Sequence, residues 1–291
     1  MTKLKFTSIK NNPTMAGQAA VSPDIVYAVH DGREYKLTLL LPWSASQDES
    51  SRFPLIVFVQ GSAWTTPDIT YELPQLAKYA QSGYVVATVV HRSAVDGYKA
   101  PAFLEDTKCA IRFLRANAAK YHIDPERVGM WGTSSGGNTA LLVGLTGDDP
   151  TYRTDEYTEQ SDAVKTVVEC FGPAEMESLF HLTPEEIEAA GDALKLRVSL
   201  LGETEEEQRR RAALITPLDM VKPGVDYPPF LLIHGDADPV VPYDHSTRMA
   251  EKLCAADVHT EMIRVEGAEH EGTFWSVQLH DMILDYFNRT L

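Results

Sequence analysis

A serine bounded by glycines, between a strand pattern and a helix pattern, constrains this chain more than any other feature. Residues 127–131 are typical of a short buried strand, residues 132–136 are G-T-S-S-G, and residues 138–145 form an apolar, helix-compatible run. G-x-S-x-G is informative when a strand precedes it and a helix follows it. A nucleophile in such a turn has a strained backbone, so its neighbours must be nearly free of side chains. Ser134 is therefore the candidate nucleophile, and the alternative is a plain Gly/Ser turn.

The rest of the chain alternates between strand and helix patterns. Strand patterns occupy residues 24–30, 35–41, 55–60, 84–90, 127–131, 164–170, 229–234 and 260–265. Helix patterns occupy residues 73–81, 101–121, 138–145, 243–255 and 273–291. This alternation predicts an α/β fold with a mostly parallel central sheet and helices on both faces. Asp31-Gly32 predicts an N-terminal antiparallel hairpin at one edge.

Two segments depart from this alternation. Residues 173–213 are charged, have a helical pattern and are interrupted at Pro184, Gly191 and Gly202. This segment is too short for a large core of its own, so we expect a helical insertion in a single domain spanning residues 1–291. The insertion either covers the strand ends as a lid or packs against the core. Residues 1–22 are polar and rich in turn formers, which predicts a loosely attached arm.

A serine hydroxyl needs a base to take its proton, usually a histidine oriented by a carboxylate. Ligand chemistry in parallel sheets gathers at the carboxyl ends of strands. Residues 229–234 lead into a loop that contains Asp236 and Asp238. We favour Asp238, because it lies deeper in the loop and Pro239 holds its backbone extended. Asp236 is better suited to stabilise the turn by accepting backbone N–H bonds.

The candidate base is His270, which follows the 260–265 strand pattern in a loop between Gly267 and Gly272. Its position directly before the last helix suits proton transfer. The chain has nine histidines, and most others fit structural or surface roles. The order Ser134, Asp238, His270 after successive strands is the order typical of one class of serine hydrolase.

An oxyanion formed at Ser134 needs backbone N–H donors. The N–H of Ser135, directly after the nucleophile, is one candidate. The loop after residues 55–60 supplies the others, since Gly61, Ser62 and Ala63 are small enough for a substrate oxygen to approach. We predict Ser62 and Ala63 as the donors. The alternative is a small-residue turn without a catalytic part.

Composition bounds the partners and the location. Hydrophobic residues make up 44% and charged residues 23%, as in an ordinary globular protein, and the net charge of −16 argues against nucleic acid or anionic membranes as partners. The three cysteines are far apart and suggest buried free thiols rather than disulfides or a zinc site. The first residues lack the apolar region of a secretory signal and no stretch of about 20 apolar residues occurs, so we expect a cytoplasmic protein.

These motifs together resemble the α/β-hydrolase superfamily, and more narrowly its esterase branch. That branch includes hormone-sensitive-lipase-like carboxylesterases, acetylxylan and feruloyl-type esterases and kynurenine formamidases, and prolyl-oligopeptidase catalytic domains are related. The resemblance extends from about Tyr35 to the C-terminus. The residues that carry it are QGSAW at 60–64, DPERVGMWGTSSGG at 124–137, HGDADPVVP at 234–242 and GAEHEG at 267–272.

The resemblance has further implications for single residues. The family usually has His-Gly-Gly-Ala/Gly-Trp where this chain has residues 60–64, so Ser62 replaces a glycine and its hydroxyl is a further candidate donor. Arg92 and Asp106 match a family pair that we interpret as structural support. Trp64, Tyr98 and the 173–213 insertion are the candidate substrate contacts.

The resulting hypothesis is a serine carboxylesterase that hydrolyses short-chain or carbohydrate-linked esters of the acetyl or feruloyl type, without a metal or organic cofactor. The alternative with the same triad is an aminopeptidase or formamidase. A third alternative, a hormone-receptor-like binding protein on this fold, is disfavoured because such receptors tend to lose the histidine. The sequence determines neither the acyl group nor the alcohol group of the ester substrate. It is also compatible with a homodimer.

Overall fold

The computed structural model describes residues 3–179 and 192–291. The strands are β1 (Ala19–His30), β2 (Arg33–Pro42), β3 (Phe53–Val59), β4 (Val85–Val89), β5 (Ile123–Thr133), β6 (Thr166–Cys170), β7 (Phe230–Gly235) and β8 (Thr260–Val265). The helices in the described residues are α1 (Leu73–Gln81), α2 (Ala102–Ala116), α3 (Ser135–Leu145), α4 (Met176–Leu179), α5 (Asp192–Leu201), α6 (Glu205–Ala213), α7 (Pro217–Met220), α8 (Asp244–Ala255) and α9 (Val277–Thr290).

The strands form one eight-stranded sheet in the order β1-β2-β4-β3-β5-β6-β7-β8. Strands β3 to β8 run parallel, whereas β2 is antiparallel to both β1 and β4. The predicted parallel sheet with an antiparallel hairpin at one edge is confirmed. The hairpin is longer than predicted, because β1 begins at Ala19, which pairs with Pro42. Pairing along β1 satisfies backbone groups of residues 19–22, so the predicted arm was too long at its C-terminal end.

Both faces of the sheet are covered by helices, as the apolar runs of the central strands require. All five residues of β4 are buried, and so are the last five of β3. On one face, α2, α3 and α8 contribute the side chains Leu114, Leu141 and Met249 to the core. On the other face, α1 and α9 contribute Tyr79 and Phe287. The candidate site lies at the carboxyl ends of the parallel strands.

The described part of the 173–213 insertion is helical, as predicted, and consists of α4, α5 and α6. Gly202 ends α5 with a φ of +113°, a backbone conformation that glycine adopts readily. Leu200 and Leu201 are buried in the core, and the Leu200 carbonyl accepts the Ala100 N–H at 2.8 Å. This end of the insertion therefore packs against the body of the domain. Pro184 and Gly191 lie outside the described residues, and the lid remains a prediction.

The cysteines differ from one another in their surroundings. Cys109 and Cys170 are buried free thiols, as predicted, but Cys254 is exposed. The prediction for Cys254 was wrong because its position near the end of α8 lies on the solvent side of that helix. Within the described parts of the chain, no helix is both long enough and apolar enough to cross a membrane.

Candidate active site

Ser134 lies at the turn between β5 and α3, in the strained conformation that the sequence pattern implies. Its backbone has a φ of +50° and a ψ of −121°, and its N–H donates to the Cys170 carbonyl at 2.9 Å. A Cβ on Gly132 would lie 1.9 Å from the Gly136 carbonyl oxygen, and one on Gly136 would lie 2.0 Å from the Val59 oxygen. Side chains at either position are therefore incompatible with this turn.

Two loops bring the predicted partners of Ser134 to it. Asp238 lies in the loop after β7, and His270 lies in the loop after β8. His270 Nε2 lies 3.0 Å from Ser134 Oγ, and His270 Nδ1 lies 2.7 Å from Asp238 Oδ2. Asp236 points elsewhere: its carboxylate accepts the Gly267 N–H at 2.6 Å and joins the two loops. The structure thus brings together Ser134, Asp238 and His270, and gives Asp236 a structural contact.

Hydrogen bonds fix the state of the Asp238 carboxylate. Burial alone would raise the pKa of Asp238, but hydrogen bonds from His234, His270 and the N–H groups of Val241 and Val240 hold this pKa well below its usual range. Asp238 is therefore ionised at neutral pH and acts as an acceptor. His270 must then carry its hydrogen on Nδ1, which leaves Nε2 to accept the Ser134 hydroxyl hydrogen.

The loop after β3 lies beside the nucleophile, but its N–H groups are not equivalent. The Ser62 N–H donates to Ser135 Oγ at 2.9 Å, and the Gly61 N–H donates to Thr133 Oγ1 at 2.8 Å. The Ser62 hydroxyl donates to the Thr65 carbonyl at 2.8 Å, so it does not point toward an oxyanion. Among the described residues the Ala63 N–H has no hydrogen-bond partner, and the Ser135 N–H lies in the first turn of α3. The N–H groups of Ala63 and Ser135 are thus the donors that remain for a ligand.

The predicted substrate contacts Trp64 and Tyr98 differ in their surroundings. The Trp64 indole is 3% exposed, packs against Phe103 and donates to Asn138 Oδ1 at 3.4 Å. The Trp64 ring therefore supports the loop from inside the core, and a substrate contact for Trp64 remains a prediction. The Tyr98 hydroxyl donates to Asp31 Oδ2 at 2.9 Å, at the turn of the β1–β2 hairpin. A substrate contact for Tyr98 remains a prediction.

The predicted pair of Arg92 and Asp106 is present. Arg92 Nε donates to Asp106 Oδ1 at 2.9 Å, and the Arg92 N–H also donates to this carboxylate. Asp106 is fully buried and tethers the loop after β4 to α2. The pair therefore supports the structure, as we interpreted it from the sequence.

Two carboxyl groups near the site were not predicted. Glu271, directly after His270, accepts the Trp275 indole N–H at 2.7 Å and lies 3.4 Å from the Gln60 amide nitrogen. Burial raises the pKa of Glu271. Burial and the nearby charge of Glu271 raise the pKa of Glu72 to about 7. The only sequence signal for Glu271 is its place beside His270, since its contacts come from loops far apart in the chain.

The described residues show no group of three or more histidine, cysteine, aspartate or glutamate side chains arranged to hold a metal ion.

The parallel sheet, the strained serine turn and the order of the three site residues define an α/β-hydrolase of the esterase branch. Residues 43–253 match the BD-FAE family, and the chain belongs to that family. A solved carbohydrate esterase from gut microbiota, in truncated form, superposes with a TM-score of 0.75 at 26% identity and covers 96% of this chain and 99% of its own. Est2, an esterase from Thermogutta terrifontis, has a TM-score of 0.73 at 25% identity and covers 94% of each chain.

Curated relatives point to the same branch. Esterase LipC of Mycobacterium tuberculosis is 30% identical over 235 residues, which is 80% of this chain and 56% of LipC. The chain spans only about half the length of curated relatives that it matches, among them LipC, LipM and LipQ.

Proposed function

We propose that the protein is a serine carboxylesterase that works through Ser134, His270 and Asp238. The observation that carries this proposal is the continuous chain of hydrogen-bond distances, 3.0 Å from Ser134 Oγ to His270 Nε2 and 2.7 Å from His270 Nδ1 to Asp238 Oδ2. A hydroxyl, an oriented imidazole and an ionised carboxylate in this arrangement are what nucleophilic acyl transfer requires.

The proposed reaction has two halves. Ser134 Oγ attacks the ester carbonyl carbon while His270 Nε2 takes the hydroxyl proton, and Asp238 stabilises the imidazolium that forms. The N–H groups of Ala63 and Ser135 donate to the oxyanion. His270 then gives the proton to the departing alkoxide oxygen, which leaves an acyl group on Ser134. A water molecule, deprotonated by His270, attacks this acyl carbon and releases the carboxylic acid and free serine.

The proposed substrates are esters of short acyl groups, including acyl groups attached to carbohydrates. Support comes from the similarity to the gut-microbiota carbohydrate esterase, which extends over nearly all of both chains. Est2 has been solved with butyrate bound and with propionate bound, and both acids are short. These similarities favour ester over amide hydrolysis.

A matched pair of serine variants tests the chemistry. Ser134→Ala is expected to lower kcat for p-nitrophenyl acetate by about 10⁴-fold or more, with unchanged circular dichroism and melting temperature. Ser50→Ala, on an exposed loop, serves as the control and keeps full activity. A fluorophosphonate should label the native protein and the control but not Ser134→Ala. Activity of Ser134→Ala near that of the native protein would refute the proposal.

A substrate panel tests the proposed class. The panel contains p-nitrophenyl acetate, butyrate and octanoate, an acetylated xylo-oligosaccharide, a feruloyl ester and an aminoacyl p-nitroanilide. We expect kcat/KM to be highest for acetate or butyrate and detectable acetate release from the oligosaccharide. Preference for the anilide over every ester would instead assign the triad to amide hydrolysis.

A further inference from the structure

Asp238 is held by a second histidine in addition to His270. His234 Nε2 lies 3.2 Å from Asp238 Oδ2 and 3.0 Å from the Val241 carbonyl oxygen. Both oxygens accept hydrogen bonds and neither can donate one, so these contacts favour the tautomer of His234 with its hydrogen on Nε2. The side chains of His234 and Asp238 are both fully buried. The carboxylate is therefore fixed between two imidazole N–H donors, one on each histidine.

The other nitrogen of His234 leads to a buried carboxyl group. Ser246 Oγ lies 2.7 Å from His234 Nδ1 and 3.3 Å from Glu169 Oε2. The second oxygen of Glu169 accepts the Gly172 N–H. Ser246 and Glu169 are both almost fully buried. The four side chains thus form one line from β6 through the start of α8 and the end of β7 to Asp238.

If both contacts of Ser246 Oγ are hydrogen bonds at the same time, this line holds one extra proton. The Ser246 hydroxyl has a single hydrogen, but both Glu169 and His234 lie within bonding distance of its oxygen. If Ser246 donates to His234 Nδ1, Glu169 must be protonated to bond Ser246 in turn. If Ser246 donates to Glu169, His234 must donate from Nδ1 as well as from Nε2. In either arrangement Glu169 and His234 share one proton through Ser246.

The environment of Glu169 favours retention of that proton near neutral pH. Burial raises the pKa of Glu169 to about 7, although His234, the Gly172 N–H and Ser246 each oppose the rise. Glu169 is therefore protonated below pH 7 and ionises as the pH rises through about 7.

We propose that His234 is a positioning residue for Asp238, and that Ser246 and Glu169 keep its Nε2 hydrogen pointed at Asp238 through their shared proton. This inference rests on the proposed function, since Asp238 has a catalytic task only there. When the proton is lost, Ser246 can satisfy either Glu169 or His234 but not both. The arrangement in which Ser246 serves the new carboxylate draws the His234 hydrogen to Nδ1 and removes the bond to Asp238.

Other titratable groups surround this line and bear on its pH dependence. His270 faces Asp238 from the loop after β8. Tyr243 and His245 lie at the start of α8, with the Tyr243 ring centroid 5.7 Å from that of His234 and the Ala174 N–H donating to His245. Burial lowers the pKa of His245 and raises that of the Cys170 thiol beside Glu169, so both are neutral in the range of interest. The readout must therefore be a difference between variants that leave these groups intact.

Substitutions of His234 test the positioning role. His234→Leu removes the donor, and we expect kcat to fall by about 10- to 100-fold with little change in KM, the effect of losing one hydrogen bond to a charged group. His234→Gln keeps a donor of similar reach, and its kcat should be about tenfold higher than that of His234→Leu. Thr107→Val, which removes a buried hydroxyl on α2, is the control and should leave kcat unchanged. A folded His234→Leu protein with native kcat would overturn the inference.

Glu169→Gln tests the shared proton, and it tests the proposal even if His234→Leu does not fold. The amide imitates a protonated carboxyl group, since it donates to Ser246 and accepts from Gly172. We expect kcat equal to that of the native protein at pH 6 and about three- to tenfold above it at pH 9. Identical kcat profiles of the two proteins from pH 6 to 9 would overturn the inference. Failure of the native protein itself to hydrolyse esters or to react with a fluorophosphonate would instead refute the proposed function.

Discussion

The backbone N–H of Ser62 donates a hydrogen bond to the Oγ of Ser135, with the two atoms 2.9 Å apart. This contact ties the loop after β3 to the first residue of α3, beside the nucleophile. It holds Ala63, whose N–H we propose as an oxyanion donor, in a fixed place relative to Ser134. The Ser62 side chain turns away and donates to the Thr65 carbonyl, which accommodates a serine at the position where the family that the sequence resembles usually has glycine.

Ser135→Ala removes this tie and keeps the backbone N–H of residue 135. We expect kcat for p-nitrophenyl acetate to fall by about two- to tenfold, which corresponds to one hydrogen bond of about 0.5–1.5 kcal/mol, with KM nearly unchanged. Thr139→Val removes a hydroxyl one turn further along α3 and is the matched control. A kcat for Ser135→Ala equal to that of the control would show that the tie does not position the loop.

Gly132→Ala places a methyl group where the structure has no room. The new Cβ would lie 1.9 Å from the Gly136 carbonyl oxygen, so we expect a loss of more than about 4 kcal/mol in the free energy of unfolding, or insoluble protein. Gly32→Ala is the control: its φ is +77°, no atom lies within 4 Å of its Cβ, and its cost should be about 1–2 kcal/mol. Urea unfolding of both variants measures the difference. Equal stability of the two variants would contradict the close approach of β5 and α3.

Glu72→Gln changes the pH dependence of stability. The pKa of Glu72 is raised from its usual 4.5 to about 7 by burial and by the charge of Glu271, so the folded state holds this proton more tightly than the unfolded chain. The native protein therefore loses stability as the pH rises from about 4.5 through about 7. The variant, which never ionises there, should equal the native protein near pH 4 and exceed it by about 1–3 kcal/mol at pH 8.

The measurement for Glu72→Gln is urea unfolding at a series of pH values, with the exposed Glu49→Gln as control. A difference between Glu72→Gln and the native protein that stays constant from pH 4 to 8 would be inconsistent with the raised pKa.

Asp162→Asn tests a buried ion cluster that lies away from the site. The Asp162 carboxylate forms ion pairs with Lys108 Nζ and Arg112 Nη1, each at 2.9 Å, and all three side chains are fully buried. Removing the carboxylate leaves two buried cations, which should cost about 3–5 kcal/mol in stability. Asp124→Asn, at a partly exposed pair with Arg127, should cost less than about 1 kcal/mol. Thermal unfolding compares them, and the activity of folded Asp162→Asn is expected to be native.

Much of this architecture follows from local patterns. The apolar runs of β3 and β4 predicted strands buried on both faces, and the Asp31-Gly32 turn predicted the edge hairpin. The glycines around Ser134 predicted a strained turn, because side chains at these positions would clash. The ends of the strand patterns predicted the loops that carry Asp238 and His270. The strand and hairpin predictions succeeded because each depends on residues close together in the chain.

Other features were missed because they depend on side chains that meet across the fold. The packing of the Trp64 ring against Phe103 on α2 is one such feature. The predicted donor Ser62 N–H is already bonded to a side chain 73 positions away. The Glu271 carboxylate contacts the side-chain amide of Gln60, 211 positions away, and neither segment alone predicts that contact.

The sequence by itself determined the order of strands and helices, the strained turn at Ser134 and the loops that carry Asp238 and His270, since backbone propensity and steric limits act locally. Only the tertiary structure decided which N–H groups remain for an oxyanion, that Asp238 lies between two histidines, and that Ser246 connects Glu169 to His234. Those facts depend on rotamers and on distances of about 3 Å between groups from separate loops. Such distances are set by the packing of the whole core.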